Sequence, residues 1–468
     1  MVKGEKVKQG DLSKYVEGWE PFLTDSGELG FTLPYYKDDG IKTASEWVEA
    51  LRGSETERDV PAVLEVKFRN LPRSMRDASP RPSLEGDSSL LDDLIAFIKR
   101  HVWISEEAYY TVLASWAMDT WVHDFMDISP RLIFFATTRS GKTRALNTLR
   151  ELSYRGLDLS SPTQAVMYRL VEAVHPTMFI DEYQDLHKDM MPLIGSIFKS
   201  GFQFGADVGR CEDDSERSIK FFSVYSPIAI GLKNHEPKED ELNRSIMVRM
   251  LTKPSNAAIE RVIRKDGARA LRGRLHGLRF KVQTGLIDLE PLMKEASALA
   301  LREVPGQNKS VTLNDRSIEI ASALLVPALA MGGPSKDLKI NAILSIIASS
   351  QEFSDEGLKD SGEGRVFYAI QMTYGCQDEL EQIGLNGQKL RDATKMTTRA
   401  VAEQFNMDLE EHGDDDRRDK VKTAKVTGMI KSLGFKLKRG TRNQTYFELD
   451  GFFSTYALNL RKYGDRGK

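Results

Sequence analysis

Cysteine is almost missing from this chain: its 468 residues include two, Cys211 and Cys376. They stand far apart without ligand-spaced companions, which excludes a disulfide framework and leaves no cysteine-based zinc signature. Long apolar runs are missing as well. The longest, Ala321 to Met331, is too short to span a bilayer and contains Pro327, so no membrane partner is expected. The opening residues Met1-Val2-Lys3-Gly4-Glu5-Lys6 are charged with no apolar segment behind them, and cytoplasmic residence is the expectation. Neither sign of charge dominates. With a formal net charge of -3, nucleic-acid binding has to be argued from local clusters rather than from the total. The 40% hydrophobic and 29% charged fractions belong to a soluble globular protein, and the length predicts more than one domain.

The most informative stretch runs from Pro130 to Leu146. An apolar run, Leu132-Ile133-Phe134-Phe135, reads as a buried strand; it breaks into Ala136-Thr137-Thr138-Arg139-Ser140-Gly141-Lys142-Thr143-Arg144, and helical spacing follows from Ala145. This is the pattern of a phosphate-binding loop. Free backbone N–H groups and the positive end of the next helix cradle phosphate oxygens. Lys142 reaches the terminal phosphates of ATP and Thr143 ligates Mg²⁺. Ala136 replaces the usual first glycine, which is tolerable where φ stays negative. Downstream, Pro176-Thr177-Met178-Phe179-Ile180 reads as a buried strand ending in Asp181-Glu182. Beside a phosphate loop, Asp181 is assigned to the metal and Glu182 to orienting the attacking water; the bland alternative is a solvated strand end.

Phe202 to Cys211 and Ser218 to Tyr225 alternate like two arms of a hairpin, with Arg210, Arg217 and Lys220 as weak nucleic-acid contacts. Arg244 stands ahead of another apolar strand, where its guanidinium can serve a neighbour's phosphate or sit in a surface ion pair; Arg249 is the reserve. From Asn256 the pattern turns helical. Arg261, Arg264, Lys265, Arg269, Arg272, Arg274, Arg279 and Lys281 crowd one stretch, read either as a solvated face or as a contact for DNA or a subunit. Near the C-terminus, helical patterns around Thr397 to Phe405 and Thr423 to Leu433 precede a hairpin from Phe435 to Leu449 with a basic tip. Helix, turn, helix and hairpin predict a winged helix. Lys425, Lys431, Lys436, Lys438, Arg439 and Arg442 would face DNA, although protein-binding winged helices exist.

The span from about Leu90 onward resembles the uncharacterised ATPase domain of phage- and plasmid-type helicase and primase-helicase proteins, related to superfamily III helicases and the wider AAA+ group. The likeness is carried by Ser129-Pro130-Arg131-Leu132, Gly141-Lys142-Thr143, Pro176 through Glu182, Gly201-Phe202-Gln203, Pro227-Ile228-Ala229-Ile230, Asn243-Arg244-Ser245-Ile246, Leu313-Asn314-Asp315-Arg316 and Leu433-Gly434-Phe435. It implies an α/β fold with a P-loop AAA+-like parallel sheet core, a helical lid and a C-terminal winged helix. The implied activity is that of a replication-type, ATP-driven helicase, a hexameric homo-oligomer on single-stranded or duplex DNA that hydrolyses ATP with Mg²⁺ at subunit interfaces. In such rings Asn234, which otherwise reads as the start of the turn before Pro237, contacts the γ-phosphate side. Arg244 serves the next subunit's nucleotide, and Arg316, which otherwise reads as a capping-region salt bridge at a helix start, is a lid sensor. Asn243 stands where the family usually has Asp. The expected parts are 1–85, a small α+β region of unknown role; 86–128, a helical lead-in; 129–255, the ATPase core; 256–355, the lid; and 365–468, the winged helix. The rivals are an initiator or loader in which ATP only switches conformation, and a non-hydrolysing DNA-binding scaffold.

Overall fold

The computed structural model describes residues 20–23, 29–32, 41–43, 46, 82–83, 87–136, 140–158, 171, 175–183, 190–211, 219–232, 239–254, 257–260, 262–263, 265–305, 310–331, 333–360, 362–374, 397–412, 421–439, 445–448, 452, 455–456 and 459. They fall into two compact units, Met1–Gln351 and Glu352–Lys468. In the first unit, β1 (Glu20–Leu23), β2 (Leu29–Thr32) and β3 (Ile41–Thr43) form a small antiparallel sheet. The main sheet is parallel and five-stranded, in the order β10 (Ser245–Met250), β4 (Arg131–Ala136), β9 (Ile228–Leu232), β6 (Met178–Ile180), β5 (Leu157–Asp158). Strands so placed need apolar residues on both faces, which is why Leu132, Ile133, Phe134, Ile228, Ala229 and Ile230 form unbroken runs.

Two helices lead into the sheet. The first, α1 (Leu90–His101), has acids in its first turn and Lys99, Arg100 and His101 in its last, matched to the helix dipole. It is followed by α2 (Ala108–Val122), in which every residue from Tyr110 to Val122 is buried. The Trp116 indole donates to the Pro130 carbonyl at 2.7 Å and the Trp121 indole to that of Leu152 at 2.8 Å. These bonds fix α2 against the start of β4 and the end of α3 (Lys142–Leu152). Beyond β6 come α4 (Met191–Lys199), the antiparallel hairpin β7 (Asp207–Cys211) and β8 (Ile219–Ser223), and, after β9, the short α5 (Glu239–Leu242). Helices α6 (Lys265–Gln283), α7 (Leu289–Ala300), α8 (Asp315–Met331) and α9 (Lys336–Asp360) follow, with a short ladder of β11 (Val304–Pro305) and β12 (Ser310–Val311) between α7 and α8. Lead-in and lid stretches are not appended to the sheet: Leu94, Trp116, Phe134, Leu275 and Leu325 belong to one continuous core. The long apolar run at Ala321 lies within α8, and no helix among the described residues is long and apolar enough to cross a membrane.

Three arginines of the crowded basic stretch, all on α6, are used internally. Arg272 and Arg279 are buried in α6; Arg272 binds the Glu151 carboxylate at 3.1 Å, and Arg279 binds Asp124 at 2.7 Å and the Trp121 carbonyl at 3.0 Å. Arg274 grips Asp87 and, at 2.9 Å, Asp93, and these hydrogen bonds push its pKa further up. Neither a solvated face nor a DNA surface describes these three arginines, because a buried guanidinium persists only where carboxylates and carbonyls receive it. Arg131 follows the same rule without a carboxylate. Wholly buried, it donates to the carbonyls of Ile197 and Phe198 at the end of α4 and of Ser226 ahead of β9, at 3.0, 3.1 and 2.7 Å. Burial pulls this guanidinium down to about 9.

The second unit is built from α10 (Gly362–Tyr374), α11 (Thr398–His412), α12 (Thr423–Ser432) and the antiparallel pair β13 (Leu437–Arg439) and β14 (Thr445–Phe447). Phe367, Val401, Phe405, Ile430, Phe435 and Phe447 close its core, and Thr397 makes an antiparallel bridge to Tyr446. The Asn406 side chain clamps both polar groups of Val421, accepting from its N–H at 2.8 Å and donating to its carbonyl at 3.1 Å. That pair of bonds sets where α12 begins.

Candidate phosphate-binding site

Because the strands are parallel, their C-terminal ends share one rim, with Ala136 opposite Met250, Phe135 opposite Leu232 and Ile180 opposite Ile230. The phosphate-loop strand and the acidic strand are not neighbours, since β9 runs between them. Ala136 ends β4 in extended backbone, where a methyl group fits. At the head of α3, Gly141 has φ 91, a left-handed conformation that glycine adopts without a Cβ penalty. The first-turn N–H groups of a helix so begun have no intrahelical partners and are available to phosphate oxygens. Lys142 is nearly buried, and its Nζ lies 3.5 Å from Asp181 Oδ1; the Thr143 hydroxyl donates to Asp181 Oδ2. Lys142, Thr143 and Asp181 are thus brought together across an intervening strand.

Gly231 makes that meeting possible. A Cβ there would lie 2.7 Å from Asp181 Oδ1 and 2.9 Å from Lys142 Cδ. Sequence reasoning missed this residue, although a lone glycine inside Ile228-Ala229-Ile230-Gly231-Leu232 is the available signal for a close approach. Glu182 is exposed and held at φ 51, and its N–H donates to Asp181 Oδ1 at 2.9 Å. A non-glycine residue in that region carries on the order of 1 kcal/mol of strain or more, the kind of outlier found where a side chain is aimed for use.

A cavity of about 550 Å³ adjoins the loop, lined by Val102 and Trp103 from the α1–α2 connection, by Ser140, Gly141 and Arg144, and by Met250 and Ile259. This is the size of a small-molecule site, and periodicity gave no hint of its walls. Arg144 donates to the Glu260 carbonyl at 2.8 Å, which turns this guanidinium toward the segment after β10.

The remaining candidates lie elsewhere. Arg244 directly precedes β10, its carbonyl accepting from the Arg131 N–H at 3.1 Å, so it stands at the opposite end of the strands from Lys142. Six residues of strand separate the two ends by about 20 Å. The Arg316 guanidinium sits 4.7 Å from the centre of the Phe202 ring and pairs with Glu319 at 2.7 Å. Because the Phe202 carbonyl binds the Ser129 N–H ahead of β4, Arg316 too is at the far end, and a contact between it and a nucleotide on this chain's own Lys142 is not what the fold provides. Thr137, Thr138, Arg139, Asn234, Arg217 and Arg442 lie outside the described residues. Lys425, Lys431, Lys436, Lys438 and Arg439 are exposed on α12 and the β13 arm. Arg210 and Lys220 are register partners in the β7–β8 hairpin, whose Ile219 and Phe221 are 63% and 64% exposed on one face.

No protein-family model matches the chain, and no curated protein matches it. Among solved structures it is similar to the apo A form of the NrS-1 C-terminal region, at 10% identity over 93% of this chain and 97% of that one, with a TM-score of 0.35. It is also similar to the active helicase Cch of SCCmec type IV, at 10% identity over 94% of this chain and 95% of that one, with a TM-score of 0.36.

Proposed function

We propose that this chain is an ATP-dependent DNA helicase or translocase of replication type, working as a homo-oligomeric, hexameric ring with ATP hydrolysed between subunits. The observation that carries the reading is the convergence of Lys142, Thr143 and Asp181 beside the cleared space at Gly231. Those residues fit MgATP: the hydroxyl and carboxylate that would hold the metal already meet, and the helix end behind them offers N–H groups to phosphate. The bound nucleotide supplies the scissile phosphoanhydride, and its Mg²⁺ neutralises developing charge. Lys142 would balance the terminal phosphates, Thr143 and Asp181 would hold the metal, and Glu182 would position water and receive its proton. The 550 Å³ cavity beside Trp103 has room for the base. Arg244 and Arg316 are remote from their own chain's loop, which supports a role for them at a neighbour's site. Exposed Ile219 and Phe221 contact the strand in the pore, and the basic face of α12 and β13, read as a winged helix, holds DNA phosphates.

The test is ATPase rate with and without single-stranded and duplex DNA. Lys142→Ala is expected to weaken nucleotide binding at least about ten-fold, and Glu182→Gln to keep binding within about two-fold while slowing turnover by about a hundred-fold or more. Unaltered hydrolysis in either variant refutes the assignment. The exposed basic face of the second unit favours an initiator or loader as the second reading, and strand displacement separates the two, because a switch hydrolyses ATP without unwinding.

A further inference from the structure

At the end of the sheet away from the phosphate loop, three metal-ligating side chains converge. His123 and Asp124 lie in the 3-10 turn that follows α2, and His175 lies just ahead of β6. His123 Nε2 is 3.0 Å from Asp124 Oδ1, and one ligand atom from each of the three residues falls within 4.8 Å of the others. We propose that His123, Asp124 and His175 bind one divalent ion of the zinc class, separate from any magnesium at the nucleotide site.

The ring of His123 is wholly buried, and its Nδ1 lies 2.8 Å from the Thr120 carbonyl. A carbonyl only accepts, so Nδ1 carries the proton and Nε2 is the nitrogen presented to the cluster. Metal-bound histidines are held in this way, by a hydrogen bond from the other ring nitrogen. Among the described residues Nε2 makes no hydrogen bond of adequate geometry, despite its proximity to Asp124. Asp124 is oriented likewise: Arg279 takes Oδ2 at 2.7 Å, which leaves Oδ1 toward His123. The rings of Tyr225 and Tyr154, centred 5.7 and 6.0 Å from that of His123, form an aromatic wall. Donors around a tetrahedral zinc lie about 3.3 Å apart, so the His123–Asp124 spacing already suits it and a side-chain movement of at most about 1.5 Å brings His175 in. Two imidazoles with one carboxylate select a borderline cation over Mg²⁺ or Ca²⁺, and a fourth position is left for water. Such an ion ties the end of α2 to the start of β6. The extended strand β6 runs from just after His175 to just before Asp181, so the two sites lie at opposite ends of it and do not share a metal.

The competing occupant is a proton, which would make His123 an imidazolium against Asp124. Calorimetric titration of the chelator-stripped full chain with Zn²⁺, without nucleotide, distinguishes them. One Zn²⁺ per chain is expected, with Co²⁺ giving the visible bands of a low-coordinate nitrogen and oxygen site. His175→Asn and Asp124→Asn are expected to weaken binding by at least about ten-fold, and Asp181→Asn to leave it unchanged. Circular dichroism checks that each variant is folded, and the Co²⁺ spectrum of the unsubstituted chain stands as a test by itself. Absence of stoichiometric metal, wild-type affinity in folded His175→Asn, or loss of binding in Asp181→Asn would overturn the site.

Discussion

Gly231 is the residue on which the candidate phosphate site turns. The atoms a new Cβ would displace belong to the side chains of Asp181 and Lys142 rather than to backbone. Gly231→Ala is therefore expected to cost nucleotide affinity at least about ten-fold, roughly 1.4 kcal/mol, with little change in melting temperature. Equilibrium nucleotide titration beside a thermal melt checks this; a large drop in stability at unchanged affinity would contradict it. Asp119 makes the opposite point. It is fully buried, neither carboxylate oxygen has a hydrogen-bond partner among the described residues, and burial holds its pKa well above the usual carboxylate range. The folded chain keeps a proton that the unfolded chain gives up above about pH 4, so this group's contribution is whole at low pH and is lost as pH rises toward the folded value. Asp119→Asn is thus expected to gain stability relative to wild type as pH increases, by on the order of 1–3 kcal/mol at neutrality. Thermal melts across pH 4 to 8, a range of about four units, read the gap. A gap that widens toward acid would mean an ionised, paired carboxylate instead.

At the level of elements, the segments that stood out in the sequence are those whose pattern is local. The strand and helix flanking the candidate phosphate loop, the strand that ends before Asp181 and the C-terminal hairpin form where alternation or helical spacing places them, whereas the arm read from Phe202 begins only at Asp207 because Ser200–Phe202 closes a 3-10 turn after α4. Within β7–β8, Ile219 and Phe221 are exposed large side chains, and alternation by itself could not tell which face is covered. Helix α6 shows the same limit: a basic run looks alike whether it meets water or Glu151, Asp124 and Asp87. In the second unit, Lys425, Lys436 and Lys438 are exposed on α12, on the segment before β13, and on β13 itself. Each substituted by Ala is expected to weaken duplex binding evenly across sequences and to lower the salt-dependence slope by about one for each phosphate no longer neutralised. Fluorescence anisotropy at several salt concentrations measures that slope, and an unchanged slope in all three would remove this face from DNA binding.

For the whole molecule, the order of the sheet decides the chemistry. Parallel strands put the lysine and the acid on one rim, with β9 between their strands, and leave Arg244 at the other end of β10, where Arg316 of α8 packs on Phe202. If the arginine serves a neighbour, chains carrying Lys142→Ala and chains carrying Arg244→Ala are each inactive alone. Mixed in equal amounts they are expected to recover hydrolysis, because roughly a quarter of interfaces then pair an intact loop with an intact arginine. No recovery in assemblies shown to be mixed would argue for a site complete within one chain.

What the amino-acid order determined by itself was whatever depends on near neighbours: the phosphate loop and its flanking periodicities, the acidic strand end, the absence of a long apolar span, and the helical and hairpin segments of the C-terminal unit. Only the tertiary structure decided which strands lie side by side, that Gly231 must lack a side chain, which arginines are buried, and that His175 comes to meet His123 and Asp124. The reason is physical. Backbone hydrogen bonding and side-chain period act over a few residues and leave a trace in the sequence, whereas strand order and buried ion pairs are settled by packing among segments far apart in the chain, which no local pattern encodes.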